Sequence, residues 1–295
     1  MSQAPHALEL AALTKSYGDV EALRSVSLGI HSGVTAILGQ NGAGKTTLFK
    51  CALGLEKPSG GVVEVFGGSP RKHKTRERVG VMLQDTELPD LLTGRELLEL
   101  FASYYPTPMP SEKVIELAQI DAFADKRYSK LSGGQKRRIQ FALAIVGDPD
   151  LVFLDEPTTG LDTDARKVLW QVVRDFAKAG RCIVLSTHYL EEADALADRI
   201  VILANGKIIA DGSVAQLKKT VTGALIRCET KLDQDEIDRL PGCTSVTLAG
   251  RITEIRTADP VHTLRELLQR DAHLQTLTVS NPTLADIFEQ QINES

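Results

Sequence analysis

The sequence lacks most features that would place it in a membrane, in an oxidising compartment or on nucleic acid. Its four cysteines are scattered without the paired spacing of metal ligands, so we predict neither a disulfide nor a zinc site. No apolar run approaches the ~20 residues needed to cross a bilayer, and the first residues do not resemble a signal peptide. A net charge of -5 argues against broad binding to phosphate backbones, so no nucleic-acid partner is expected. These absences predict a cytoplasmic chain without a membrane span, for which any membrane role requires partners.

The apolar segments indicate a parallel sheet that is covered on both faces. Residues 34–38, 151–154 and 182–186 form continuous apolar runs rather than alternating ones. Amphipathic stretches such as residues 165–178 separate them, as helical crossovers separate parallel strands. The predicted fold class is therefore α/β.

Two regions depart from this alternation. Residues 93–124 are predicted to be largely helical with a proline-rich break, within a helical insert over about residues 85–140. After about residue 220 short segments of both kinds alternate, so we predict a first domain over 1–220 and a small α+β accessory domain over 221–295, with a ferredoxin-like arrangement as one candidate. The predicted accessory segments are strands at 224–228, 244–248 and 252–256 and helices at 234–240, 260–270 and 282–290.

A glycine-rich loop follows the first apolar strand and precedes a helical run. Residues 39–46 read Gly-Gln-Asn-Gly-Ala-Gly-Lys-Thr, which fits the Walker A pattern G-x-x-x-x-G-K-[ST]. Its backbone amides can cradle phosphates, Lys45 can reach the β- and γ-phosphates, and the Thr46 hydroxyl can ligate Mg²⁺. The motif predicts binding of ATP and Mg²⁺, with a structural glycine-rich turn as the alternative. The predicted nucleotide contacts here are Asn41, Gly42, Ala43, Gly44, Lys45, Thr46 and Thr47.

A second apolar strand ends in two carboxylates. Residues 151–154 are followed by Asp155 and Glu156, in the manner of a Walker B motif. If this strand lies beside the first, both carboxylates face the phosphate loop. Asp155 is predicted to hold Mg²⁺ through its water shell, and Glu156 to polarise the attacking water. The alternative is that the two acids cap a helix that begins near Pro157.

A short turn, Leu131-Ser132-Gly133-Gly134-Gln135, opens an amphipathic helix. A serine hydroxyl, glycine backbone and a helix N-terminus together can bind an anion, although a helix-capping serine followed by two glycines is the plain alternative. With this turn between the Walker motifs, the sequence resembles the ABC ATPase family. The resemblance implies that the turn contacts the γ-phosphate of ATP bound to the opposite subunit of a head-to-tail dimer. It assigns nucleotide contacts to Ser132, Gly133, Gly134 and Gln135.

Four single residues fall at positions to which the same resemblance assigns roles. Gln84 is implied to touch Mg²⁺ or water and to link the ATP site with the helical insert. His188 is implied to hydrogen-bond the γ-phosphate. Tyr17 is implied to stack on adenine, with ordinary packing as its alternative, and Asp162 to lie at the dimer seam. Glu156, His188 and Gln84 are thus the predicted catalytic residues, and Thr46, Gln84 and Asp155 the predicted metal contacts.

These residues predict an ATP-hydrolysing motor subunit of a transporter. Residues 136–138, 186–193 and 284–288 resemble the daunorubicin-type export branch, which implies separate integral membrane subunits and a peripheral position at the inner face of the cell membrane. The alternative is a soluble ABC ATPase acting on nucleic acid or ribosomes, but no coiled coil, zinc module or second cassette is recognised in the sequence. Import is the alternative direction of transport. The presence of both Glu156 and His188 disfavours a protein that binds ATP as a switch without hydrolysing it.

Overall fold

In the computed structural model, which describes residues 6–84, 86–220, 223–280 and 283–293, the chain folds as two compact units. The first runs to Val214 and the second begins at Ala215. Each unit has a hydrophobic core of its own. Within the described ranges, no helix is both long and apolar enough to span a bilayer.

The first unit combines two sheets with surrounding helices. Its strands are β1 (Leu8–Tyr17), β2 (Val20–Ile30), β3 (Gly33–Leu38), β4 (Gly60–Val65), β5 (Val79–Met82), β6 (Leu151–Asp155), β7 (Cys182–Thr187), β8 (Arg199–Ala204) and β9 (Lys207–Ser213). Its helices are α1 (Lys45–Ala52), α2 (His73–Arg76), α3 (Gly94–Ala102), α4 (Ser111–Leu117), α5 (Gly133–Ile145), α6 (Thr163–Lys178) and α7 (Leu190–Leu196).

The central sheet has the strand order β5-β6-β7-β3-β8-β9. Its strands from β5 to β8 pair in parallel, and β9 joins β8 in the antiparallel sense. Every residue of β6 and β7 is buried, which explains their continuous apolar sequences. The predicted α/β class with a parallel sheet is confirmed. Because parallel strands share a direction, the loops after β3, β5, β6 and β7 all emerge at one edge.

A three-stranded antiparallel sheet, in the order β2-β1-β4, shares its core with the central sheet and α1. Phe49 of α1 meets Phe153 of β6 edge to face, with ring centroids 5.3 Å apart. Both side chains are fully buried, and burial of such a ring contributes about 1.5–3 kcal/mol. This packing fixes α1, and with it the loop that enters α1.

Helices α3, α4 and α5 pack together in the region of the predicted insert. Thr93 caps α3 through a reciprocal pair of hydrogen bonds with Glu96, which explains where this helix begins. The prediction that residues 93–124 are largely helical was too long at its far end, because α4 stops at Leu117. Gln119 adopts φ 54°, a left-handed backbone that cannot continue an α-helix.

Helix α6 follows β6 and packs on the core through one apolar stripe. Leu169, Val172, Val173 and Phe176 recur at helical spacing and are all buried. Asp162 caps the helix, with its Oδ1 accepting the Ala165 amide at 2.8 Å. The start of α6 is therefore fixed immediately after the loop that leaves β6.

The second unit is a four-stranded antiparallel sheet with the order β11-β12-β10-β13. Ile226, Ile255 and Cys228 lie on one face, where Ile237 and Leu267 from two helices complete a small core. Helix α8 begins at the boundary in sequence between the two units. The elements are α8 (Val214–Thr220), β10 (Ala224–Glu229), α9 (Gln234–Asp238), β11 (Cys243–Ala249), β12 (Ile252–Thr257), α10 (Pro260–Arg270), β13 (Gln275–Ser280) and α11 (Leu284–Asn293).

The sequence prediction omitted β13. Its short Thr-Leu-Thr-Val pattern was not recognised as a strand, and Leu277 and Val279 remain exposed in it. Its pairing with β10 along one edge defines the strand instead. The predicted helix over 282–290 corresponds to α11, and its first predicted residue, Pro282, lies outside the described residues.

Candidate functional site

A cleft of about 480 Å³ opens at the edge of the central sheet where β3, β5, β6 and β7 end. Residues that follow all four strands line it, together with Ala22 from β2. The structure thus brings together the Walker A loop and the predicted catalytic residues. The lining residues are Ala22, Asn41, Gly42, Gly44, Lys45, Thr46, Thr47, Gln84, Glu156, Thr159 and His188.

The Walker A loop owes its shape to glycine. Gly44, the N-cap of α1, has φ 106°, and a Cβ there would lie 2.6 Å from the carbonyl oxygen of Ala22. Gly42 has φ 84°, and a Cβ there would meet nothing within 4 Å. The loop therefore packs closely against β2 at Gly44 and has open space beside Gly42. Ala43 is buried and does not line the cleft.

Lys45 lies folded into the loop and is only 5% exposed. Its Nζ donates to the carbonyl oxygens of Gly39, at 2.8 Å, and Gln40, at 3.2 Å. Glu156 Oε1 lies 3.8 Å from the same nitrogen. Burial lowers the pKa of Lys45, while the charges of Glu156 and Asp155 act in the opposite direction. The ammonium group is thus held inside the cleft by a carboxylate and two carbonyls.

Glu156 is constrained by its backbone conformation and by contacts of both carboxylate oxygens. Its backbone is left-handed, with φ 48°, a conformation that costs a residue other than glycine roughly 1–3 kcal/mol. Its amide donates to the Ser186 carbonyl at 3.1 Å, which anchors it to β7. Its Oε2 accepts from Thr159 Oγ1 at 3.1 Å, and its Oε1 lies 3.2 Å from His188 Nδ1. The carboxylate therefore lies between the phosphate-loop lysine and the histidine.

The other Walker B carboxylate lies deeper. Asp155 is buried at the end of β6 and accepts a short hydrogen bond from Ser186 Oγ. It is not among the residues that line the cleft. Neither Asp155 nor Glu156 caps a helix, since the next helix is α6 with Asp162 as its cap, so the capping alternative is wrong.

Gln84 joins the cleft to the helical region through its backbone. Arg137 of α5 donates from Nη1 to the Gln84 carbonyl at 3.2 Å and to Gln140 Oε1 at 3.1 Å. Gln140 in turn donates to the Tyr128 hydroxyl at 3.0 Å. Sequence reasoning missed Arg137 as a contact of this loop, because the strand end and α5 are 53 residues apart.

The segment Ser132–Gln135 lies outside the cleft as far as the described lining residues show. Ser132 and Gln135 cap α5 reciprocally, with N–H···O distances of 3.0 and 3.3 Å. A Cβ at Gly133 would meet nothing within 4 Å, whereas one at Gly134 would lie 3.1 Å from the Cβ of Ala165. Ser132–Gln135 therefore lies next to the start of α6, where Asp162 is the N-cap. Neither this segment nor the start of α6 lines the cleft around the phosphate loop.

Tyr17 also lies outside the cleft lining, at the end of β1. Its hydroxyl donates to Glu56, and Lys15 Nζ lies 4.8 Å from its ring centroid. Burial raises the pKa of Tyr17, and the adjacent Thr47 hydroxyl opposes that change. The side chain is nevertheless 45% exposed, so its ring retains an open surface.

Comparisons with known proteins agree with this site. The family model described as ABC transporter matches residues 23–159, and a model described as an AAA domain (putative AbiEii toxin) matches residues 125–194. The Nod factor export ATP-binding protein I of Rhizobium sp. (strain N33) is 35% identical over 96% of this chain and 95% of the relative. The daunorubicin/doxorubicin resistance ATP-binding protein DrrA of Streptomyces peucetius is 34% identical over 97% and 92%.

Solved structures of ATP-binding cassettes resemble about 70% of the chain. The ATP-binding subunit of an ABC transporter matches with a TM-score of 0.66 and 26% identity, over 72% of this chain and 92% of that one. A dimeric ATP-binding cassette in a post-hydrolysis state, bound to ADP and Pi, matches with a TM-score of 0.63 and 26% identity, over 70% and 98%. The relatives cover nearly the whole chain and the cleft carries both Walker motifs. The chain belongs to the ABC transporter family, as one of its ATP-hydrolysing ATP-binding subunits.

Proposed function

We propose that the chain powers an exporter as its motor subunit, working as a head-to-tail dimer beside separate integral membrane subunits. The observation that carries the proposal is the meeting of Lys45, Glu156 and His188 in one cleft while Ser132–Gln135 lies elsewhere. One copy supplies a phosphate loop and a base but no signature contact. A second copy can supply the missing contact, and among the solved relatives are dimeric cassettes.

Lys45 has a direct part in binding under this proposal. In the cleft, its ammonium group is satisfied by the carbonyls of Gly39 and Gln40 and lies near Glu156. Phosphate oxygens carry more negative charge than carbonyls, so Lys45 exchanges these partners for the β- and γ-phosphates. That exchange frees the Glu156 carboxylate from the lysine.

Glu156 then polarises the attacking water, and His188 donates to the γ-phosphate. The separation of 3.2 Å between His188 Nδ1 and Glu156 Oε1 supports a shared role for the two groups at the γ-phosphate. Thr159 Oγ1 holds the second carboxylate oxygen, so Glu156 keeps one orientation. The residues orient the water, and no covalent intermediate is required.

Mg²⁺ is the cation that the donor set suits. Thr46 and Gln84 line the cleft, Asp155 immediately precedes the cleft residue Glu156, and all three offer oxygen ligands. Asp155 would act through bound water, because its carboxylate is buried and bonded to Ser186. When bound, the cation would offset the negative charge that develops on the phosphate.

The remaining expected contacts complete the proposed nucleotide site. Tyr17 provides a partly exposed ring for adenine, and Asp162 lies at the seam of the dimer beside the signature segment. We propose that Ser132, Gly133, Gly134 and Gln135 contact the γ-phosphate of the opposite copy. The openness of Gly133 and the capped start of α5 favour an anion at this position.

Export through membrane partners rests on the relatives. Two of them carry the names Nod factor export and daunorubicin/doxorubicin resistance ATP-binding protein, and both align over almost the whole chain. We propose that this chain likewise serves an exporter at the inner face of the cell membrane, and that residues 85–140 form the insert that meets the membrane subunits. Co-expression with a membrane subunit of the daunorubicin-type export branch should recruit the chain to membranes. A chain that stays in the soluble fraction would favour the alternative of a soluble ABC ATPase.

We also propose that residues 221–295 form an accessory domain of ferredoxin-like type. Its elements run β10-α9-β11-β12-α10-β13, and its sheet order places each helix between two strands that are not neighbours. Helix α11 follows this core, with Leu284 and Ile287 buried.

A mixing experiment tests the shared sites. Lys45→Met and Ser132→Arg each disable both sites of a homodimer, but a heterodimer of the two variants keeps one intact site. The mixture should therefore recover about a quarter of wild-type ATPase activity, from random pairing and one working site in two. The matched control mixes Lys45→Met with Glu156→Gln, which affect the same half-site, and should recover nothing. Equal behaviour of the two mixtures would contradict the head-to-tail arrangement.

A further inference from the structure

Helix α6 carries an arginine that connects the loop before it with the residue after His188. Arg166 lies one turn after the cap Asp162, and its Nε donates to the Leu161 carbonyl at 3.1 Å. On its other side, the guanidinium carbon lies 4.7 Å from the ring centroid of Tyr189. One side chain therefore touches both the loop at the proposed dimer seam and the loop that carries the histidine.

Tyr189 in turn contacts His188 through its ring. The two rings have centroids 4.1 Å apart with planes inclined at 38°, and His188 Nδ1 lies 3.2 Å from Glu156 Oε1. His188 is itself partly exposed at the cleft, so burial does not fix its ring. The Tyr189 ring on one side and the Glu156 carboxylate on the other therefore define the orientation of the His188 ring.

The same face of α6 makes a second contact one turn further on. Trp170 Nε1 donates to Glu192 Oε1 at 3.1 Å, and Glu192 is fully buried at the start of α7. Thr187, next to His188, also faces the Glu192 carboxylate. Arg166 and Trp170 are four residues apart, so a single helix face holds the whole segment from Thr187 to Glu192.

We propose that the Arg166–Tyr189 stack is a positioning contact through which the loop at the dimer seam sets the orientation of His188. This inference rests on the proposed function, since it gives His188 its role at the γ-phosphate. Closure of a second copy on Leu161 and Asp162 moves the start of α6. Arg166 is bonded to that loop and stacked on Tyr189, so the movement reaches the imidazole. Neither Arg166 nor Tyr189 is among the residues that line the cleft.

The stack suits this task because it combines a planar cation with an aromatic face. A single pair of this kind contributes little to the stability of a fold, so its effect on the ring orientation can be separated from its effect on folding. Loss of the stack is therefore expected to reduce turnover without unfolding the protein. A misplacement of a catalytic group by ~1 Å can reduce the rate by ~100-fold, and a change of ring orientation should have a smaller effect.

The test compares Tyr189→Leu, which removes the ring, with Tyr189→Phe, which retains it, in the full chain. We expect roughly tenfold lower kcat for Tyr189→Leu, an unchanged Kd for ATP, and kcat within about twofold of wild type for Tyr189→Phe. Arg166→Met should resemble Tyr189→Leu. Arg174→Met is the matched control, because Arg174 also lies on α6 and bonds the Ala195 carbonyl at 3.4 Å but does not meet Tyr189.

Epistasis separates positioning from general packing. In a His188→Ala background, Tyr189→Leu should have no further effect on kcat, because the stack acts only through that imidazole. An additional tenfold loss in this background would overturn the proposal. If His188→Ala alone turns over ATP at the wild-type rate, the proposed role of His188 fails instead. If Tyr189→Leu keeps the wild-type kcat while His188→Ala is defective, the proposed role of the Arg166–Tyr189 stack is refuted and the proposed role of His188 stands.

Discussion

Replacing Glu156 by Gln tests the assignment of the base at the site. Gln has almost the same shape and can still accept the hydrogen bond from Thr159, so the change removes a charge and little else. A positioned general base contributes about 100- to 10,000-fold, which corresponds to about 3–5 kcal/mol of transition-state stabilisation. We therefore expect kcat to decrease by about 100- to 10,000-fold for Glu156→Gln.

The structure also indicates how much stability the substitution costs. At 3.8 Å, Lys45 and Glu156 attract each other by about 4 kcal/mol at an effective dielectric constant of 20, and desolvation offsets much of this. Lys45 keeps both carbonyl acceptors and the charge of Asp155. The free energy of unfolding should therefore fall by roughly 1–2 kcal/mol, less than the roughly 3–5 kcal/mol for a buried charge left without a partner.

The assay measures phosphate release, ATP binding and molecular mass with and without ATP. Glu156→Gln should bind ATP with wild-type affinity and accumulate as an ATP-bound dimer, because closure proceeds while hydrolysis does not. The control Glu191→Gln removes a carboxylate of the same type from an exposed position nearby and should behave as wild type. Turnover by Glu156→Gln within about threefold of wild type would refute the assignment, since a lost base costs at least ~100-fold.

Three further predictions concern residues around the cleft and the second unit. Tyr17→Ala should raise the KM for ATP about five- to tenfold by removing a stacking surface, while Tyr17→Phe stays within about twofold; equal values for both would exclude stacking. Burial raises the pKa of Glu192, so the folded protein holds this proton above the ordinary glutamate range and loses stability as pH rises through the raised value. Thermal unfolding should therefore show the stability of Glu192→Gln rising relative to wild type as pH increases above the ordinary glutamate range, and a pH-independent difference would contradict this. Deletion of residues 221–295 should weaken ATP-dependent dimerisation if the accessory domain supports the dimer, and unchanged dimerisation and ATPase activity would remove that role.

The convergence of the site could be predicted because it follows from strand direction. Gln84, Glu156 and His188 each follow an apolar run, and parallel strands bring such ends to one edge. The glycines of the Walker A loop could likewise be read as backbone requirements, and the φ of Gly44 agrees. Their roles toward nucleotide stay predictions.

The contacts inside the cleft could not be predicted. That Lys45 lies on two carbonyls of its own loop depends on the curvature of a backbone that sequence patterns do not describe. The left-handed conformation of Glu156 is equally hidden, because glutamate has no preference for it. Nor does the sequence reveal that Thr159, three residues later, holds the carboxylate.

The capping serine shows that two interpretations of one motif can be compatible. Ser132 does cap α5, as the plain alternative held, yet a capped helix N-terminus is also a place where anions bind. The sequence did not predict strand β13, and the reason is a different one. Its side chains are exposed, so neither burial nor hydrophobic pattern identified it, and only pairing with β10 defines it.

The site residues divide between two surfaces that α6 connects. Lys45 and Glu156 line the cleft, whereas Gly134 and Asp162 both adjoin Ala165 at the start of α6. This start also adjoins the cleft along the backbone, because Thr159, which donates to Glu156 in the cleft, lies three residues before Asp162. A second series of described contacts to the histidine runs along the helix face that carries Arg166. Under the proposed head-to-tail arrangement, we therefore expect the turnover of each copy to be coupled to closure of the dimer on its own seam.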